Sequence, residues 1–127
     1  MKRDPRATYQ LASVNTASPA RLLVMLFERL VLDCERGLLA LDAGDRAECN
    51  TQFQHAQAIL IHLTTTLEVE GMPAGRQLLS LYDWVTRQLV VANVQQNRGA
   101  ALEALTRSRE LADMWTQAAM QAAAKPA

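Results

Sequence analysis

Apolar residues recur along this chain at alternating steps of four and three, and the clearest run is Cys49, Phe53, Ala56, Leu60, Leu63, Leu67. Steps of that size keep one side of an α-helix apolar, because residues three and four apart stack above one another. Three more segments share the beat. Leu23, Phe27, Leu30, Cys34, Leu38 and Leu41 line one side of a first helix predicted from Pro19 to about Ala43, and Met25, Leu32 and Leu39 line a second. Leu78, Tyr82, Val85, Leu89 and Ala92 form the stripe of a third helix, from about Gly75 to Gln96, with Leu81, Trp84 and Val91 beside it. Ala101, Leu105, Ser108, Ala112, Trp115 and Ala119 form that of a fourth, from about Ala100 to Ala122. No segment alternates apolar and polar residues as a half-buried strand does.

Local punctuation agrees. Ser18 is a sound N-cap and Pro19 suits the first helical position. Gly44 ends the first helix. Asp45-Arg46-Ala47-Glu48 reads as a capping box, with Asp45 as cap and Glu48 reaching back. The second helix is expected to run to about Val69, with Gly71 as its stop, before the longest loop, Met72-Pro73-Ala74-Gly75. Asn97-Arg98-Gly99 breaks the pattern before the fourth helix. Short connections make neighbours antiparallel, so the predicted fold is all-α, an antiparallel up-down four-helix bundle. Residues 1–18 read as a polar N-terminal arm, able to start a short helical turn at Asp4-Pro5. Residues 19–122 form the bundle and 123–127 a frayed tail.

The 127 residues suit one domain that buries its core without metal or disulfide staples. Half the residues are hydrophobic but only 5% are aromatic, so Leu, Ala and Val do the packing. Thirteen basic residues balance thirteen acidic ones, which disfavours nucleic acid or an anionic membrane as the main partner. A neutral, apolar-rich chain tends to self-associate unless a partner covers it. The run Leu22 to Phe27 is too short for membrane insertion, and Met1-Lys2-Arg3 is not followed by the apolar core of a signal peptide. The cytoplasm is the expected location.

Candidate chemistry is sparse. Cys34 and Cys49 have no Cys-x-x-Cys or Cys–His spacing, and read as buried hydrophobes. His55 and His62 share a face about 10 Å apart along the axis, too far for one metal ion, and read as ordinary surface histidines. Neither has a Glu three residues before it, as di-iron bundles require. Asp42-Ala43-Gly44-Asp45 lacks calcium-loop spacing. There is no nucleophile elbow or phosphate-cradling loop. No catalytic, cofactor-binding or metal site is predicted. Tyr82 and Trp115 fall on core stripes. Tyr9 sits in the polar arm, where it either folds back onto the bundle or meets a partner, and an arm that detaches can do both.

These residues carry a resemblance. Tyr9-Gln10, Val14-Asn15-Thr16-Ala17-Ser18-Pro19 and Leu22-Leu23-Val24-Met25-Leu26-Phe27-Glu28 are similar to the opening signature of the FliS family, the flagellin-specific export chaperones. Leu67-Glu68-Val69-Glu70-Gly71 resembles the family's second-helix ending. Leu81-Tyr82-Asp83-Trp84, Ala92-Asn93 and Leu111-Ala112-Asp113-Met114-Trp115 resemble its later motifs, in the same order. The family's Tyr-Asp-Gly is Phe27-Glu28-Arg29 here.

The resemblance implies a non-enzymatic chaperone. Its client is the C-terminal segment of flagellin, disordered before assembly, which it binds one to one in the cytoplasm. It prevents premature polymerisation and helps delivery to the export gate. A disordered amphipathic client can wrap a bundle and lay apolar residues into its grooves. Leu22, Met25, Leu26, Leu81, Tyr82 and Trp115 are expected to form or support that surface. Tyr9 lies nearby, and the resemblance also associates it with the gate. The wide apolar arc of the first helix equally fits a generic homodimeric module, or a homodimer formed without client. A histidine phosphotransfer domain is a third reading, weakened because no Lys or Arg lies between Arg46 and Arg76.

Overall fold

The computed structural model describes residues 18–124. They form four helices: α1 (Pro19–Asp42), α2 (Arg46–Thr66), α3 (Gly75–Gln95) and α4 (Arg98–Ala124). Each packs on the next, and α4 closes the ring on α1; the diagonal pairs make no close backbone approach. Side-chain pairs fix the directions. Asp42 reaches Arg98, Glu35 reaches Arg109 and Cys34 meets Ser108, so α1 and α4 run antiparallel. Gly37 beside Phe53 and Asp33 with His55 do the same for α1 and α2, and Arg46 on the Val94 carbonyl with Asn50 on Asn93 for α2 and α3. This is the predicted antiparallel four-helix bundle, with no strand among the described residues.

The helix ends show how local chemistry overrides periodicity. The Ser18 hydroxyl accepts the Arg21 N–H at 3.1 Å, as predicted. Gly44 takes φ +73°, where a Cβ is costly, and turns the chain out of α1. Asp45 caps α2 by accepting the Glu48 N–H at 3.1 Å. The other half of the expected capping box is absent. The Asp45 N–H is already bonded to the Ala40 carbonyl at 2.9 Å, and the Glu48 carboxylate accepts from Gln52 instead.

α2 stops at Thr66, earlier than Val69. Thr65 and Thr66 each donate a hydroxyl to the His62 carbonyl at 2.9 Å, and Leu67 turns extended. Side-chain bonds of this kind, back to a carbonyl three or four residues earlier, compete with continuation of the helix. Gly71 therefore lies in the loop and does not stop the helix. α4 begins at Arg98, before the predicted Ala100, because the Asn97 carboxamide caps it by accepting the Ala100 N–H at 3.0 Å. It continues to Ala124.

All five predicted stripe residues of α3 are buried, as are those of α2 through Leu63. On α1 the Met25–Leu32–Leu39 line points away from the core. Four residues absent from the predicted stripe are buried there, Val24, Asp33, Gly37 and Ala40. A Cβ on Gly37 would lie 2.2 Å from the Phe53 ring, so the missing side chain is the space that ring fills. A mid-helix glycine costs about 1 kcal/mol relative to alanine, and this packing offsets it.

Candidate functional site

Leu22, Leu26, Arg29 and Asp33 follow one another at steps of four, three and four, so they share one edge of α1. Asp33 reaches His55, which places that edge toward α2. Leu22 is 39% exposed and Met25, beside it, 47%, while Leu26 is half-buried. This end of α1 thus offers apolar surface that the bundle leaves uncovered.

Below it sits an ionic cluster that periodicity does not reveal. The Asp33 carboxylate is fully buried; it accepts the Arg29 Nε–H at 3.0 Å and meets His55 Nδ1. Its partners are both half-exposed, so the charge is neutralised from the solvent side. His55 is therefore a structural partner of a buried acid. His62, two turns further on, is exposed.

The later predicted residues gather around an aromatic trio. Tyr82 is 1% exposed and stands near Phe27, with ring centroids 6.1 Å apart. Trp115 stacks on Phe27 at 6.1 Å and 16°, and donates its indole N–H to the Tyr82 hydroxyl at 3.1 Å. Tyr82 therefore supports a surface from beneath. Trp115 is half-buried and helps form one. Leu81 is half-buried on the side of α3 away from Asn93, which faces α2, so it borders α4. Trp84 and Met114 extend the apolar area there. The predicted residues thus divide into two groups on different sides of the bundle, linked through Phe27. Tyr9 lies outside the described residues.

The small residues on the stripe of α4 leave a seam against α1. Ala112, Thr116 and Ala119 are too small to fill it, and two hollows open there. One, about 270 Å³, has Val31 and Ala112 as apolar wall with Glu28, Arg109 and Asp113 around it. The other, about 220 Å³, is bounded by Ala20, Val24, Thr116, Ala119 and Met120. The small-residue stripe of α4, legible in the sequence, leaves this volume between the helices.

The buried groups suit packing rather than reactivity. Burial pushes the Cys34 thiol up to about 12, against a weaker opposing contact with Ser108. Burial also raises Cys49, and raises Tyr82 against the opposing bond from Trp115. A thiol held protonated is a poor nucleophile. Among the described residues, no three His, Cys, Asp or Glu side chains lie close enough to share a metal ion, and no helix is long and apolar enough to cross a membrane.

Against this geometry the comparisons with known proteins agree with one another. Residues 1–122 match the family described as "Flagellar protein FliS". The chain is 29% identical over 116 residues to the flagellar secretion chaperone FliS of Bacillus subtilis strain 168, covering 91% of this chain and 86% of that one. It is 28% identical over 113 residues to the protein of the same name from Campylobacter jejuni, covering 86% of this chain and 88% of that one.

Proposed function

This chain belongs to the FliS family, and we propose that it is a flagellar export chaperone whose client is the C-terminal segment of flagellin. It holds that segment in the cytoplasm, prevents premature polymerisation and assists delivery to the export apparatus. The name shared by both relatives supports secretion chaperoning. The observation that carries the client reading is the uncovered apolar surface on two sides of one small bundle, Leu22 with Met25 and Trp84 with Met114, with an underfilled α1–α4 seam.

A disordered amphipathic segment suits such a surface. It loses conformational entropy on binding, so the compensating apolar area has to be large and distributed. Leu22, Met25, Leu26, Leu81 and Trp115 contact it in this reading, and Tyr82 holds Trp115 in place. Tyr9 contributes to client or gate docking. The bundle supplies a scaffold and has no chemical step to perform.

Calorimetric titration with the C-terminal segment of the cognate flagellin tests the proposal. One-to-one binding with a negative heat-capacity change is expected. A folded protein that gives no heat and no shift with that segment moves the function to another partner.

A further inference from the structure

α1 meets α4 along an edge on which apolar and acidic residues take turns. Val24, Glu28, Val31, Glu35, Leu38 and Asp42 follow at steps of four and three, so they share one side of the helix. Two of the three acids are paired across the seam. Asp42 holds Arg98 at 2.8 Å and Glu35 holds Arg109 at 3.2 Å. The third rung of this ladder is broken. One turn beyond Arg109, α4 presents Asp113 where an arginine would complete it, and Glu28 and Asp113 both line the hollow of about 270 Å³ walled by Val31 and Ala112. Among the described residues neither carboxylate has a cation within ion-pair reach. The cations nearest to them in sequence are engaged elsewhere, Arg29 with Asp33 and Arg109 with Glu35. Arg21, about 10 Å earlier along α1, lines the other hollow.

We propose, on the basis of the chaperone reading above, that this hollow receives one basic side chain of the client segment. Charge complementarity selects the occupant. Any segment that covers the hollow takes water from Glu28 and Asp113, so it brings a cation or bears the cost of two unpaired, desolvated carboxylates. A cation between them replaces a like-charge repulsion with two attractions. Shape agrees with charge. A long basic side chain lays its methylenes against Val31 and Ala112 and keeps its charged head at the rim. Arginine suits the site better than lysine, because its planar fork donates to two carboxylates at once. The client thus supplies the missing rung. One such contact also fixes where the segment sits on the seam, since apolar contacts alone let it slide.

Two titrations test this, and the first uses no client. N-acetylarginine amide, added to the full chain at millimolar concentrations, should shift the backbone amide signals of Glu28, Val31, Ala112 and Asp113 saturably, and N-acetylnorleucine amide should not. Glu28→Gln combined with Asp113→Asn should abolish those shifts with an unchanged or raised melting midpoint. No saturable shift with the arginine amide, or equal shifts with norleucine, overturns the proposal and leaves the chaperone reading standing.

The second titration sets the parent and the Glu28→Gln/Asp113→Asn chain against the C-terminal segment of the cognate flagellin. Affinity should be about three- to tenfold weaker in the variant, as expected for two surface ion pairs. The difference should shrink as salt is added. Equal affinities at low salt overturn the placement of a client side chain in the hollow. A segment that binds neither chain removes the chaperone reading and the client occupant with it, while the arginine amide still decides whether the hollow takes a cation.

Discussion

The indole N–H of Trp115 on α4 donates to the phenol oxygen of Tyr82 on α3 at 3.1 Å, while the same indole stacks on Phe27 of α1. One half-buried side chain thus joins three helices. Trp115→Ala removes the stack and strips the hydroxyl of a buried tyrosine of its donor. A fully buried tryptophan would cost about 3–5 kcal/mol on truncation; half-burial lowers the expected loss to about 2–3 kcal/mol. Trp115→Phe keeps the stack and should cost about 1 kcal/mol, the value of one neutral hydrogen bond. Urea unfolding of both variants measures the difference; equal losses would show that the stack contributes nothing, and an unchanged Trp115→Phe that the hydrogen bond contributes nothing.

Gly37 and Phe53 set up a reversal of the usual helix preference. Alanine at an interior helix position normally stabilises relative to glycine by about 1 kcal/mol. Here the added Cβ would stand 2.2 Å from a ring carbon in a packed interior. Gly37→Ala should therefore destabilise by about 1–3 kcal/mol, the range for overpacking. Combining it with Phe53→Leu should restore part of the loss, so the two changes are not additive. Thermal melts of the two single variants and the double settle this; a stabilised Gly37→Ala would mean the ring moves freely.

The length of the fold was legible from sequence because three of the four stripes do little besides pack. Leu78, Tyr82, Val85, Leu89 and Ala92 repeat at four and three, and all are buried. What periodicity could not show is a polar residue inside. Asp33 is chemically a surface residue, and its burial is made tolerable by Arg29 one turn before it together with His55 on a different helix, 22 residues away. Gly37 looked like a blemish in α1 until Phe53 filled it. The division of Leu22 and Met25 from Leu81 and Trp115 was equally invisible, since a stripe gives each helix a face but not which neighbour that face meets. The ends of α2 and α4 shifted because Thr66 and Asn97 hydrogen-bond locally, a choice made by side-chain oxygens rather than by apolar spacing.

The Asp33 cluster predicts asymmetric losses. Removing His55 leaves a fully buried carboxylate with Arg29 as its remaining partner, and an under-compensated buried charge is costly. His55→Ala should lose about 1–3 kcal/mol. Asp33→Asn in the His55→Ala background should cost little further, because the charge that needed a partner is gone. A double-mutant cycle by chemical denaturation measures this coupling. Additive losses would mean that Asp33 and His55 do not depend on one another.

Alkaline pH should weaken the fold, and the sign follows from the thiols. In the folded chain Cys34 holds its proton up to about 12, against an ordinary value of 9.0, and burial raises Cys49 and Tyr82 as well. Between these limits the folded state binds more protons than the unfolded chain, so stability falls as pH rises. The contribution of Cys34 is complete below about pH 9 and is lost on the way to about 12. Urea midpoints should be flat near neutrality and decline above pH 9, by up to about 1.4 kcal/mol per pH unit for each titrating group. Cys34→Ala should lower stability by a constant amount near neutrality and make the alkaline decline shallower. A profile parallel to the parent's throughout would remove Cys34 from the account.

A client that wraps the bundle must touch both apolar groups, and that separates wrapping from docking on one side. Met25 on α1 is 47% exposed and Trp84 on α3 is 37% exposed, and they stand on different sides of the ring of helices. Met25→Glu and Trp84→Glu should each leave the fold intact, because neither side chain is part of the buried core. Each should weaken binding of the flagellin C-terminal segment by about 1–2 kcal/mol, or roughly tenfold, from lost apolar burial and a desolvated charge. Separated sites without shared contacts add, so the double variant should lose about a hundredfold. Titrations of the three variants read this directly. A client docked on one side alone would leave one of the single variants at full affinity, and the double no weaker than the other.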